Sequence, residues 1–287
     1  MTEVLKGKPV FDAMTSALTT KIAALKMSCP PKLAIIRVGK KADDLYYERS
    51  IQKTCAAIGM DCQIFEYEEM IEQQALESEV SKIANTPTIH GILVFIPLPS
   101  SLDDRRIRHL IPPTKDVDGL NVETAGKLYM ADTSAFAPCT PAACMELLNF
   151  YDIPLEGKNC VIIGRSLTVG KPLGLLLLRE NATVTTCHSK TRQLAQICQR
   201  ADILITAIGR AKMITPEFTN KNQVVLDVGI NKDPDKPGSY CGDVDFEKVA
   251  PRVSKITPVP GGIGSITTAI LCQHTVVASN LLFHRSL

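Results

Sequence analysis

The sequence lacks an excess of either charge: 32 lysines and arginines stand against 30 aspartates and glutamates. So balanced a chain offers no electrostatic reason to take nucleic acid or an anionic membrane as its main partner, and a small-molecule ligand is expected instead. Residues 1–8 hold no apolar signal segment, and no run approaches the ~18 apolar residues of a membrane span. A soluble, cytoplasmic protein is therefore expected. None of the ten cysteines forms a Cys-x-x-Cys pair, which removes the usual spacing of a metal site. Cys160, Cys187, Cys198 and Cys272 fall in apolar periodic runs and read as the core of a reduced protein. There is no internal repeat and no low-complexity segment. The 287 residues suffice for one large or two medium domains, each with a core.

What is present centres on residues 160–188. The apolar run Cys160-Val161-Ile162-Ile163 leads into Gly164-Arg165-Ser166-Leu167-Thr168-Val169-Gly170, then an apolar helical stretch, then Thr183-Val184-Thr185-Thr186-Cys187-His188. This reads as a βαβ unit whose first turn and helix N-terminus form an anion site suited to a dinucleotide pyrophosphate. Ser166 stands where the usual Gly-x-Gly-x-x-Gly has its second glycine, so the motif alone is weak. An NAD site wants an acid at the end of the second strand, about 20 residues on. Here that strand ends in His188-Ser189-Lys190-Thr191-Arg192 with no acid. Arg165 with Ser189 and the neighbouring cations suits a 2′-phosphate, and NADP is favoured over NAD.

The rest of the chain falls into alternating elements. A helix is expected from Val10 to Met27, a buried strand over 33–38, a helix capped by Asp43 or Asp44 and ended by Gly59, a strand over 61–67, a helix over 68–84 and a strand over 91–96. This first half is a βαβαβ layer with a parallel sheet. The pattern loosens between residues 100 and 138, apart from a short helix near 103–110 and the turn Lys115-Asp116-Val117-Asp118-Gly119, which could be ligand-binding or merely solvated. After Pro138-Cys139-Thr140-Pro141 come a helix over 142–151, the βαβ unit, a helix over 190–200, strands over 202–207 and 223–228, and a closing helix reaching about Phe283. The expected fold class is α/β with two α/β domains: 1–140, joined by a C-terminal helix 266–287, and a Rossmann-like domain 141–265. The active site is expected in the cleft between them.

With these pieces in order, the chain resembles the methylenetetrahydrofolate dehydrogenase/cyclohydrolase (FolD) family along nearly its whole length. The resemblance rests on Gly164-Arg165-Ser166 with Val169-Gly170-Lys171-Pro172, His188-Ser189-Lys190-Thr191, Asp227-Val228-Gly229-Ile230-Asn231, Gly242-Asp243-Val244, residues 257–264, Lys115 to Gly119, Pro97-Leu98-Pro99 and Pro138 to Pro141. It implies oxidation of 5,10-methylenetetrahydrofolate with NADP in one-carbon metabolism, an N-terminal folate-side domain, and a homodimer. By matching positions it implies that Tyr47 contacts the folate and Asp118 bonds its pterin, with Leu98, Pro260, Gly261 and Gly262 beside the substrate. Gly164, Arg165, Ser166, Gly170, Ser189 and Ile230 would hold NADP, and no metal is implied.

The departures bear on mechanism. Registered on Gly39, Tyr47 and Gly59, the position of the family's catalytic lysine is occupied by Ile51, and Lys53 matches a second lysine. Phe95 replaces the glutamine that precedes Leu/Ile-Pro-Leu-Pro. Tyr47 and Ile51 share a helical face, whereas Lys53, two residues on, points about 200° away. Hydride transfer requires mainly that donor and acceptor be positioned, but hydrolysis of the methenyl product requires a group to take a proton from water. Isoleucine and phenylalanine cannot. A dehydrogenase with weak or absent cyclohydrolase activity is expected. The alternatives are an ordinary bifunctional enzyme rescued by Tyr46, Arg49 or Lys53, and a folate- or NADP-binding protein without turnover. Asp44, Ala143 and Ser265 also depart from the family without an evident effect. His90, His109, His274 and His284 read as isolated surface or core residues, and Cys139 as packing.

Overall fold

The computed structural model describes residues 2–25 and 29–285, with side chains as far as 282. Met27 and the side chain of His284 thus lie outside the described residues. The chain divides into two compact units, Ala13–Cys139 with Thr268–Leu287, and Met1–Asp12 with Thr140–Thr267.

In the first unit three parallel strands lie in the order Asp61–Tyr67, Lys32–Val38, Gly91–Val94. The central Lys32–Val38 strand is apolar almost throughout because it is covered on both faces, whereas the edge strand Asp61–Tyr67 alternates between exposed and half-buried side chains. Ile36, Val38, Val80, Ile92 and Ile107 form the core beside it. The helix Ala42–Ile58 begins at Lys41, which makes no side-chain cap, so neither Asp43 nor Asp44 is the cap. Both acids lie in its first turn instead, where they complement the helix dipole. Gly59 ends the helix at φ 82°, a conformation that glycine adopts without strain. The helix expected from residue 68 begins only at Gln73, because Glu68 and Ile71 close a turn first. The loosened region contains a helix absent from the sequence reading, Val122–Tyr129. Its cap is Asn121, whose side chain accepts from Glu123 N at 2.7 Å.

The second unit carries six parallel strands in the order Glu3–Val4, Lys255–Ile256, Val224–Asp227, Ile203–Thr206, Asn159–Ile163, Thr183–Cys187. All of their carboxyl ends therefore meet one edge of the sheet. Residues 1–12 were expected with the folate-side domain; they cluster here because Glu3–Val4 pairs in parallel with Lys255–Ile256. The helix Leu194–Gln199 is shorter than expected, since His188 N donates to Thr191 Oγ1 at 2.9 Å and holds the preceding residues in a turn. Among the described residues, no helix is long and apolar enough to cross a membrane.

Candidate active site

In the first unit, the helix Ala42–Ile58 brings Tyr47 to the residues that follow the strand Gly91–Val94. The Tyr47 and Phe95 rings stack with centroids 5.8 Å apart and planes at 26°. Tyr47 is half-buried and Phe95 buried, so the Phe95 position presents an aromatic face and no hydrogen-bonding group. Ile51, one turn beyond Tyr47, is fully buried, while Lys53 is exposed. The helical geometry thus keeps Lys53 from taking over the Ile51 position. Arg49 is exposed and its Nε donates to its own helix at Leu45 O, 3.1 Å away. Tyr46 is 75% exposed. Leu98 is a core residue, clustered with Ile107 and Ile111, so its side chain is committed to packing.

Asp118 lies in the turn Lys115 to Gly119, which the sequence leaves open between a ligand-binding and a merely solvated turn. Its Oδ1 accepts from Cys139 N at 3.4 Å. The residue is half-buried, and burial of the carboxyl by surrounding protein pushes its pKa up to about 6, against the opposing bond from Cys139. The turn is built from its neighbours. Asp116 accepts from Leu120 N at 3.1 Å and Asn121 N at 2.8 Å, and Lys115 Nζ donates to the carbonyls of Ala84 and Thr86 at 2.8 Å each. His274, on the helix Thr267–Arg285, meets Val117 O through Nδ1 at 2.8 Å and packs on Phe136 at 5.0 Å. Burial pushes His274 down to about 4, so the ring is neutral near pH 7 and Nδ1–H is the donor. Isolated in the sequence, His274 thus anchors the residue before Asp118. His90 is a second buried structural histidine, its Nδ1 accepting from Lys32 N at 3.0 Å.

Two polar features escaped the sequence reading. Arg37, 2% exposed, pairs through Nε with Glu48 Oε2 at 2.7 Å and through Nη2 with Glu66 Oε2 at 2.9 Å, and it also donates to Gly39 O. Glu48 follows Tyr47 directly, so this pair ties the Tyr47 turn of the helix to the end of the central strand. Lys41 Nζ donates to Pro97 O at 3.0 Å, joining the start of that helix to the segment after Phe95. An arginine inside an apolar strand run was the available signal for the first; the second had none.

In the second unit the strands Asn159–Ile163 and Thr183–Cys187 are neighbours, with Ile163 opposite Cys187. Their carboxyl ends therefore bring Arg165 and Ser166 to the same sheet edge as Ser189, and all three side chains are exposed. A Cβ on Gly164 would lie 2.3 Å from Ala207 O, and one on Gly170 would lie 2.1 Å from Gly164 O, so the turn closes only with glycine at both places. Ser166 Oγ accepts from Val169 N at 3.1 Å and Gly170 N at 3.4 Å, opening the helix Gly170–Arg179. Arg165 makes no ion pair among the described residues. Ile230 stands 66% exposed beyond the strand Val224–Asp227.

Pro260, Gly261 and Gly262 belong to this second unit rather than to the unit of Tyr47 and Asp118. Gly261 O accepts from Gly7 N at 2.8 Å. Ser265 donates to Gly262 O through both Oγ, at 2.6 Å, and N, at 3.2 Å, a pairing that a proline could not make. Ala143 is fully buried, and nothing in the structure explains its departure. Among the described residues, no group of three or more His, Cys, Asp or Glu side chains is placed to hold a metal ion.

Comparison with known proteins matches each half separately. Residues 5–118 match the catalytic domain of tetrahydrofolate dehydrogenase/cyclohydrolase, and residues 138–282 match its NAD(P)-binding domain. The bifunctional protein FolD of Carboxydothermus hydrogenoformans is 56% identical over 283 residues, covering 98% of this chain and 99% of that protein. The crystal structure of the bifunctional enzyme FolD of Campylobacter jejuni superposes with a TM-score of 0.95 at 37% identity, over 98% of this chain and 99% of that one. The Trypanosoma brucei enzyme, complexed with NADP and an inhibitor, gives 0.91 at 34% identity, over 99% and 98%. Two domain matches in order and identity sustained over nearly the whole length place this chain in the tetrahydrofolate dehydrogenase/cyclohydrolase family.

Proposed function

We propose that the protein oxidises 5,10-methylenetetrahydrofolate to 5,10-methenyltetrahydrofolate with NADP, and that its cyclohydrolase activity is weak or absent. The observation that carries the second statement is the apolar pair at the hydrolytic positions: a fully buried Ile51 and a Phe95 stacked on Tyr47. Neither can accept a proton or orient water. The described cations nearby are no replacement. Lys53 is exposed off the Ile51 face, Lys41 is engaged by Pro97 O, and Arg37 is held by Glu48 and Glu66.

The nucleotide-side residues fit NADP. The glycine cradle at Gly164 and Gly170 has no room for a Cβ, and beside it Arg165, Ser166 and Ser189 present a cation and two hydroxyls with no acid to repel a 2′-phosphate. NADP, when bound, supplies the acceptor for the hydride leaving the one-carbon bridge. The protein's part in that step is placement. Tyr47 offers a ring face to the folate, and the Asp118 carboxylate accepts a pterin N–H, with Pro260, Gly261 and Gly262 as further substrate contacts. By the family resemblance we also propose a homodimer, to be read from its mass in solution. A reducing cytoplasmic setting is in keeping with ten free cysteines.

The test is a paired assay on the purified protein: formation of methenyltetrahydrofolate with NADP, and separately its enzyme-dependent hydrolysis, repeated with Ile51→Lys plus Phe95→Gln. Both changes are needed, because a lysine alone at a fully buried site would bring an ammonium without a polar partner. Dehydrogenation without hydrolysis, and hydrolysis gained in the double variant, is the expected result. Rapid hydrolysis by the unmodified protein would establish the ordinary bifunctional enzyme, the activity that its relatives' names carry. NADP binding without turnover would establish the non-catalytic binder.

A further inference from the structure

Beyond the residues already assigned, we infer that Asp243 is a positioning residue for the nicotinamide half of the cofactor, acting by presetting the loop that displays Ile230. The inference rests on the NADP reading above.

Asp243 is completely buried, and no cation pairs with it among the described residues. Its carboxylate is satisfied by four nitrogen donors from two loops. Oδ2 accepts from Ile208 N at 2.6 Å and Gly209 N at 3.3 Å; Oδ1 accepts from Arg210 N at 2.8 Å and Asn231 Nδ2 at 2.9 Å. The first three follow the strand Ile203–Thr206, and the fourth follows Val224–Asp227, so one side chain binds together the carboxyl ends of two neighbouring strands. Both neighbours of Ile230 lie against it. Asn231 is bonded to it, and Gly229 lies so close that an added Cβ would fall 2.2 Å from Asp243 Cγ. Asp227 completes the frame, accepting from Gly229 N at 3.1 Å and from Asp243 N at 3.1 Å.

The effect is an isoleucine that is 66% exposed yet flanked by residues bonded to two buried carboxylates, Asn231 to Asp243 and Gly229 to Asp227. A buried, fully bonded acid is an expensive support for an idle surface residue, so the arrangement calls for a ligand. Sheet order says which part of the ligand. The turn of Arg165 and Ser166 and the residue Ser189 lie over the ends of Asn159–Ile163 and Thr183–Cys187, at one side; the loops held by Asp243 lie over the next two strands on the other side. Ala207 joins them, its N bonded to Ile163 O at 2.8 Å and its carbonyl against Gly164. A dinucleotide whose 2′-phosphate meets Arg165 and whose pyrophosphate crosses the Gly164 turn thus carries its second ring over Ile230. Presetting that loop removes an ordering cost from binding.

The test separates the two halves of the ligand. Calorimetric Kd values are measured for NADP and for adenosine 2′,5′-bisphosphate, which has the 2′-phosphate but no nicotinamide, on the unmodified protein, Asp243→Asn and Asn231→Ala. Asp243→Asn turns one acceptor into a donor facing N–H groups, and the loss of a hydrogen bond to a charged group corresponds to about tenfold or more in Kd for NADP. The fragment should change by less than about twofold, since its contacts lie over other strands. Asn231→Ala, which leaves the buried carboxylate in place, should show the same split at smaller size and serves if Asp243→Asn fails to fold. Unchanged NADP affinity, or equal weakening of both ligands, overturns the positioning role. If the unmodified protein binds neither ligand, the NADP reading falls first and this inference with it.

Discussion

The two units treat their polar groups in opposite ways. Near Tyr47 the interior is apolar or internally paired: Arg37 is bonded to Glu48 and Glu66, and Ile51 and Phe95 are buried. Around Gly164, Arg165, Ser166 and Ser189 stay exposed on a scaffold that buries its own acids, Asp227 and Asp243. An apolar wall suits a reaction that needs placement without water, and exposed polar groups suit the capture of a phosphorylated ligand. The contrast teaches that the residues proposed for hydrolysis and those proposed for cofactor capture belong to different units of the chain, so one set can change while the other is kept.

The harshest way to break this contrast is to open the buried pair. Arg37→Met should cost about 3–5 kcal/mol of stability, since it leaves Glu48 charged and unpaired in the interior. The midpoint of chemical unfolding reads this, and adding Glu48→Met should restore part of the loss. NADP affinity in the folded variant should stay within about twofold, since Arg37 and the Gly164 turn belong to different units. On the other side, Arg165→Ala should raise the Michaelis constant for NADP by about ten- to a hundredfold and that for NAD by far less, because only NADP has the 2′-phosphate. Equal effects on both would remove the 2′-phosphate assignment.

A smaller effect sharpens the contrast through pH. Burial holds Asp118 at about 6, above the ordinary carboxylate range. Its acceptor form is lost as the pH falls through that value. kcat/KM for the folate substrate should therefore level off above about 6 and fall about tenfold per pH unit below it, and Asp118→Asn should abolish that step while lowering the plateau. The smallest effect is predicted for Lys53→Ala. The side chain is exposed off the Ile51 face, so neither hydride transfer nor any residual hydrolysis should change, and a measurable loss of hydrolysis would make Lys53 the rescuing base.

Legibility followed periodicity. The strands Lys32–Val38, Asn159–Ile163, Ile203–Thr206 and Val224–Asp227 could be read because continuous apolar, largely β-branched runs have few other uses, and the helix ending at Gly59 because its stop is written locally. Val122–Tyr129 was missed because it has only eight residues, two of its large apolar side chains are exposed, and Gly126 interrupts it. Glu3–Val4 was missed because two residues carry no period; its partner lies some 250 positions away. The site divided along the same line. The glycine turn and the aligned positions of Ile51 and Phe95 were visible as motif and departure, but the Arg37–Glu48 pair, the Lys41–Pro97 bond and the His274–Val117 contact join residues whose proximity only the fold creates.

The pairing of Glu3–Val4 with Lys255–Ile256 has a consequence for biosynthesis. The strands of the first unit can pair as soon as residues 32–94 leave the ribosome, but that unit also includes residues from Thr268 onward. The second unit, in turn, waits for Ile256 before its first-made strand finds a neighbour. Each unit encloses part of the other in chain order, so neither can be finished early and released as a module. Cutting the gene at residue 140 would therefore yield two incomplete halves, and any exchange of domains with a relative would have to be spliced at three points rather than one.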